Sequence, residues 1–199
     1  MDHVAQALPD AAMPYELARA TRNACMSISW HAANTKAGYA KDAARDLREF
    51  KHHLAQIQRF ELVPANASNH MEKMFRSMAW RAANLRKQGV ACKNDADKDG
   101  NDFDAAKEAF KNDLQAPPGQ GATSRSDATN VVVLDIGVVE VLSALASAAA
   151  WFAANSRARY AKDAKRDLSQ LVRAFNSLFV RPRQKWFGVN LGGCTWHQQ

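Results

Sequence analysis

The stretch WHAANTKAGYAKDAARDL spans residues 30–47 and WFAANSRARYAKDAKRDL spans 151–168; the two match at 13 of 18 positions without a gap. A third phrase, WRAANLRKQG, begins at Trp80. Internal duplication accounts for all three, and their spacing is too irregular for a solenoid. In the third copy Trp151, Ala154, Ala158, Ala161, Leu168, Val172, Phe175 and Phe179 alternate at three- and four-residue intervals, which is one stripe of a helix. No Pro or Gly interrupts residues 138–180, so the spacing predicts one helix of about forty residues there. The first copy repeats the stripe from Trp30 to Leu47, between Pro14 and Pro64.

The middle copy departs from this pattern. Asn69 followed by Glu72 reads as a capping box, and Gly89 as a stop. The motif DAAKEA at Asp104 aligns with DAARDL at Asp42 and DAKRDL at Asp163, which implies a 12-residue insertion after Trp80. The expected fold is therefore all-α: a single domain over 1–199, an up-down bundle of three long helices built from three degenerate internal repeats. The repeats cover about 15–62, 69–115 and 135–180, with the middle helix broken by an acidic loop. Residues 116–130, rich in Pro, Gly, Ser and Thr, read as a flexible connection. Residues 181–199, with two further tryptophans, read as a tail docked on the bundle.

At 199 residues and 47% hydrophobic, the chain can bury a core without disulfides or a structural metal. Cys25, Cys92 and Cys194 are odd in number and lack metal-binding spacing, which suggests reduced thiols and a cytoplasmic setting. The first residues lack the basic and apolar regions of a secretory signal. The apolar run 131–154 is long enough for a membrane span, but it contains Asp135 and Glu140, each costing roughly 3 kcal/mol at a bilayer centre. A buried helix is expected instead. Net charge is +1 over residues 1–64, +1 over 65–130 and +5 over 131–199, within a total of +7. The excess makes Arg157, Arg159, Arg166, Arg173, Arg181, Arg183 and Lys185 the candidate binding residues for an acidic protein partner or a phosphate backbone.

Three constellations offer chemistry. The insertion NDADKDGNDFDAAKE contains the DxDxDG start of a calcium loop, and this half-loop resembles an EF-hand. Asp95, Asp97, Asp99, Asn101 and Asp104 are the candidate ligands and Ca2+ the candidate cofactor, weighed against a plain acidic, solvated loop. The stretch departs from the EF-hand at position 12, where Ala106 stands in place of glutamate, and at position 8, which is Asp102. The second constellation is RDLREFKHH (45–53), where Arg48 and His53 have Rx4H spacing and Arg45 and His52 have Rx6H spacing. Both spacings resemble the HEPN family of helical RNases. That resemblance implies an arginine and a histidine flanking a scissile phosphate across a dimer interface. The third is the shared polar set Asn34/Asn84/Asn155, Asp42/Asp104/Asp163, Arg45/Lys107/Arg166 and Asp46/Glu108/Asp167, expected to fix helix register by interhelical bonds. No glycine-rich phosphate loop, GxSxG elbow or HExxH helix is present. The expectation is a non-catalytic helical-bundle protein that binds a protein partner through its helical and basic C-terminal surface. The alternatives are a HEPN-like RNA-cleaving toxin or defence protein, and a nucleic-acid-binding accessory protein.

Overall fold

The computed structural model describes residues 13–60, 65–87, 90–115 and 136–178. The expected connection 116–130 and tail 181–199 lie outside these residues. Every regular element among them is a helix: α1 (Tyr15–Lys36), α2 (Ala40–Gln58), α3 (Ala65–Arg86), α4 (Val90–Gln115), α5 (Ile136–Arg157) and α6 (Ala161–Leu178). The all-α class holds, but the three long helices become six shorter ones.

The break follows each Trp-x-Ala-Ala-Asn phrase by two or three residues, and its cause is local. After α1, Ala37 is the last αR residue and Gly38 turns left-handed at φ 82°. The Gly38 N–H then donates to the Thr35 carbonyl at 3.2 Å and the Tyr39 N–H to the Asn34 carbonyl at 2.9 Å. This is a Schellman motif, which satisfies carbonyls that the helix end would otherwise leave open. After α5 the same bonds recur, from Arg159 to Ser156 at 3.3 Å and from Tyr160 to Asn155 at 2.9 Å. Here a non-glycine residue, Arg159, adopts φ 61°. No glycine marked that turn, so the forty-residue helix was the natural expectation.

Each break folds the chain back on itself. The strongest packing is within the hairpins α1/α2, α3/α4 and α5/α6, and the first helices α1, α3 and α5 pack on one another at the centre. The outer helices reach only their own partner and the next central helix, α2 to α3, α4 to α5 and α6 to α1. The hairpins thus follow one another cyclically round the axis defined by the central helices.

The core shows why. Toward the phrases the central helices carry small residues, such as Ala32, Ala82, Ala153 and Ala149, all at most 2% exposed. Small side chains let helix axes approach toward 8 Å. Toward the other end the core is filled by larger side chains, Leu17, Met71, Met74, Phe75, Leu142 and Leu145. α5 is long and apolar enough to cross a membrane, and two-thirds of that window is buried inside the bundle.

Resetting the helix phase at each turn also moves the buried stripe. The stripe expected to continue through Ala161, Leu168 and Val172 faces outward, with Leu168 42% and Val172 51% exposed. Instead α6 buries Ala164, Asp167, Leu171, Ala174 and Leu178, and α2 buries Ala43, Asp46, Phe50, Leu54 and Ile57. In α4 the buried Ala96, Phe103 and Phe110 match Ala43, Phe50 and Ile57 of α2. They fall 53 residues after those of α2, whereas the central helices are offset by 50. The insertion in the middle hairpin therefore amounts to three residues beside the turn, not twelve. The expected acidic loop is helical throughout, within α4.

Candidate functional site

Each phrase ends in an asparagine that is folded inward. Asn34 and Asn155 are at most 1% exposed, and Asn84 is 4% exposed. Each donates its side-chain amide to a carboxylate on the second helix of its own hairpin. The pairs are Asn34 to Asp46 at 2.6 Å, Asn84 to Asp99 at 2.8 Å and Asn155 to Asp167 at 2.6 Å. Asp46 and Asp167 are themselves at most 4% exposed. Their second oxygen accepts from the preceding arginine, Arg45 at 3.1 Å and Arg166 at 3.3 Å. A buried carboxylate is tolerable when both oxygens are bonded in this way.

These bonds correct the matching of the middle copy. The residues of α4 in the positions of Asp42, Arg45 and Asp46 are Asp95, Lys98 and Asp99, not Asp104, Lys107 and Glu108. The DxDxDG resemblance thereby gains a structural explanation, since DADKD corresponds to DAARD of the first hairpin and DAKRD of the third. On a helix, residues two apart diverge by about 200°, so Asp97 points away from Asp95 and Asp99, and the three carboxylates do not converge. Among the described residues, no three His, Cys, Asp or Glu side chains converge as a metal site. Burial raises the Asp99 carboxyl above its ordinary range, partly offset by the Asn84 bond. Lys107 and Glu108 serve other contacts: Lys107 pairs with Glu140 at 2.7 Å, and Glu108 with Lys111 at 2.9 Å.

The seams between hairpins carry a second set of matched contacts that sequence reasoning missed. Six residues after each phrase tryptophan stands a basic residue: Lys36, Arg86 and Arg157. Each reaches over the tryptophan of the following hairpin. Arg157 lies 5.5 Å from the Trp30 ring and 4.3 Å from Tyr39. Arg86 lies 5.1 Å from Trp151 and 4.8 Å from Tyr160, and Lys36 lies 5.6 Å from Trp80. Arg157 also donates to the Asn34 side-chain oxygen and pairs with Asp42 at 3.4 Å. The corresponding partners of Arg86 are Asn155 and Asp163, but this seam is looser. Asp163 stands 3.8 Å away, and the buried Arg86 Nε and Asn155 Oδ1 each lack a hydrogen-bond partner. The recurring spacing from tryptophan to base was visible in the sequence; its use across hairpins was not.

The remaining candidates are scattered. Arg157 is wedged between hairpins, whereas Arg159, Arg166 and Arg173 are exposed. Arg181, Arg183 and Lys185 lie outside the described residues. Arg48 and His52 are exposed, and half-buried His53 meets the Gln56 side chain at 3.0 Å. Five residues apart on α2, Arg48 and His53 project about 140° from each other. Arg45 is engaged with Asp46, as Arg166 is with Asp167.

The turns, the basic triad and the starts of α2, α4 and α6 share one end of the molecule. Over residues 36–43, 86–97 and 157–164 it carries eight Lys and Arg against four Asp. At the other end, Arg19 pairs with Glu16, His70 with Asp113, and Lys107 and Lys111 with Glu140. The chain matches no protein-family model, and comparison with curated proteins and solved structures gives no significant match.

Proposed function

We propose that this protein is a non-catalytic helical scaffold, built from a triplicated helical hairpin, that binds an acidic protein partner on the end where its turns meet. The observation that carries this reading is the basic excess at the turn end, where eight Lys and Arg stand against four Asp and Lys41, Lys93 and Lys162 are exposed without an ion pair among the described residues. A surface of one sign attracts a complementary partner and speeds its association. Triplication is supported by the three matched asparagine–aspartate pairs, which do one structural job at three places. The same pairing argues against catalysis by these residues, because the asparagine amide groups and the carboxylates are engaged with each other in holding hairpins closed.

The test replaces exposed basic residues that make no ion pair among the described residues, Lys41→Glu, Lys93→Glu and Lys162→Glu together. The wild-type and variant chains are used to isolate partners from the source cells. Retention of an acidic protein by the wild type alone, weakened by salt, supports the reading. Equal retention by both chains overturns it, as does recovery of nucleic acid in place of protein.

A further inference from the structure

The three hairpins leave a small cavity where the central helices end. Its floor is Ala33, Ala83 and Ala154, and Lys36, Arg86, Lys87 and Arg157 stand round it. The volume is about 160 Å³, room for roughly five waters. The floor alanines occupy matching positions and are at most 5% exposed, and any larger side chain at one of them would project into the space.

We propose that this cavity binds a phosphate-type oxyanion, either free phosphate or the phosphoryl group of a small phosphate ester. This goes beyond the docking of a protein partner and does not depend on it. Four cationic side chains line the cavity and no carboxylate does. The three helix C-termini oppose them with only about half a negative charge each. The carboxylates nearest the seams are already shared, Asp42 with Arg45 at 3.4 Å and Asp163 with Arg166 at 3.3 Å.

The cations are unequally committed. Arg157 is held by Asn34 and Asp42, but Lys36 and Lys87 have no carboxylate partner among the described residues. Arg86 has Asp163 only at 3.8 Å and a buried Nε with no acceptor. Contact with the Trp151 and Tyr160 rings restrains its guanidinium, and a restrained planar fork suits two oxygens of one anion. A carboxylate could answer that fork alone. A tetrahedral oxyanion has further oxygens to turn toward Lys36 and Lys87, so its chemistry fits the lining better.

The test titrates the full chain with inorganic phosphate and, separately, with adenosine monophosphate, following arginine Nε–H and tryptophan indole N–H signals by NMR. The expected result is a saturable shift centred on Arg86, Trp151 and Trp80 with at least one of the two, the tighter ligand identifying the source of the phosphoryl group. Arg86→Gln is expected to weaken binding about tenfold, the loss of one charge-assisted contact. Lys36→Gln, whose side chain holds only a ring contact, is expected to weaken it severalfold and keeps the test valid if Arg86→Gln does not fold. Lys41→Gln, at the same end but away from the cavity, should leave the affinity unchanged. Shifts that stay linear with concentration, spread evenly over surface lysines or survive both cavity substitutions would overturn the proposal.

Discussion

Replacing each phrase asparagine by alanine tests the account of the hairpins, because the three sites share the asparagine–carboxylate bond and differ in burial and in the further partners of each pair. In Asn155→Ala the Asp167 carboxylate, 2% exposed, keeps Arg166 at 3.3 Å but loses its 2.6 Å amide donor. A hydrogen bond to a buried charge is worth about 1.5–3 kcal/mol, and a stranded charge costs more, so a loss of about 3 kcal/mol is expected. Asn34→Ala removes the equivalent donor to Asp46 and also the acceptor of Arg157, for a loss of about 4 kcal/mol. Asn84→Ala strands Asp99, which is only half-buried. Water can replace the lost donor there, and about 1 kcal/mol is expected. Against a total stability of about 5–15 kcal/mol, these differences are large. Urea unfolding reads them directly; with a slope near 2 kcal/mol/M, Asn155→Ala should lower the midpoint by about 1.5 M. The double variant Asn155→Ala with Asp167→Ala should cost less than the sum of the single changes, since no carboxylate is left stranded. Equal losses at all three positions, or the largest at Asn84, would refute the argument.

Arg159 adopts φ 61° where Gly38 occupies the matching turn, so Arg159→Gly should raise stability by about 1 kcal/mol by removing left-handed strain; an unchanged or lowered melting temperature would contradict this. Gly38→Ala, with open space round a new Cβ, should cost about 1 kcal/mol through the backbone alone, measured in the same melts. Acid should separate two carboxylates of opposite sign. Asp99 is raised above its ordinary 3.8, chiefly by burial, so its protonation favours the fold and that gain is lost as pH rises through the folded value. Asp99→Asn, which keeps an acceptor for Asn84, should therefore be more stable than wild type at neutral pH and lose that advantage in acid. Glu140 is lowered below 4.5, first by the hydrogen bond from Lys107, so its contribution is present above the ordinary value and lost as pH falls through the folded one. Glu140→Gln should cost up to about 1 kcal/mol at neutral pH and approach wild type in acid, with urea midpoints at pH 7 and pH 3 as the check. Burial pushes the Cys25 thiol up, whereas Cys92 is partly exposed. A thiol reagent followed by peptide mass spectrometry should label Cys92 in the native protein and Cys25 only on unfolding, and rapid native labelling of Cys25 would contradict the packing.

The helical class and the likeness of the three Trp-x-Ala-Ala-Asn phrases were legible because they depend on residue type and short-range spacing. Repeated alanines favour helix wherever the segment sits, and repeated small residues mark where helix axes can come together. The turns were only half legible. A glycine stands at the first turn, Gly38, but the matching Arg159 hid the same turn behind a residue that gave no signal. Once those two turns were missed, the helix phase was carried past them, and Leu168 and Val172 were placed on a face they do not occupy. The middle hairpin was misaligned for a related reason. Its acidic run offered two matches to the Asp-Ala phrase, and similarity of letters favoured Asp104, whereas the bond from Asn84 selects Asp99. Sequence by itself determined the all-helical class, since helix propensity and apolar spacing are written within a few residues. Only the tertiary structure decided where the chain folds back, which carboxylate each asparagine takes, and that Lys36, Arg86 and Arg157 surround one cavity. Those outcomes depend on residues between 12 and 123 positions apart, and they are set by burial and competition among partners that no local pattern records.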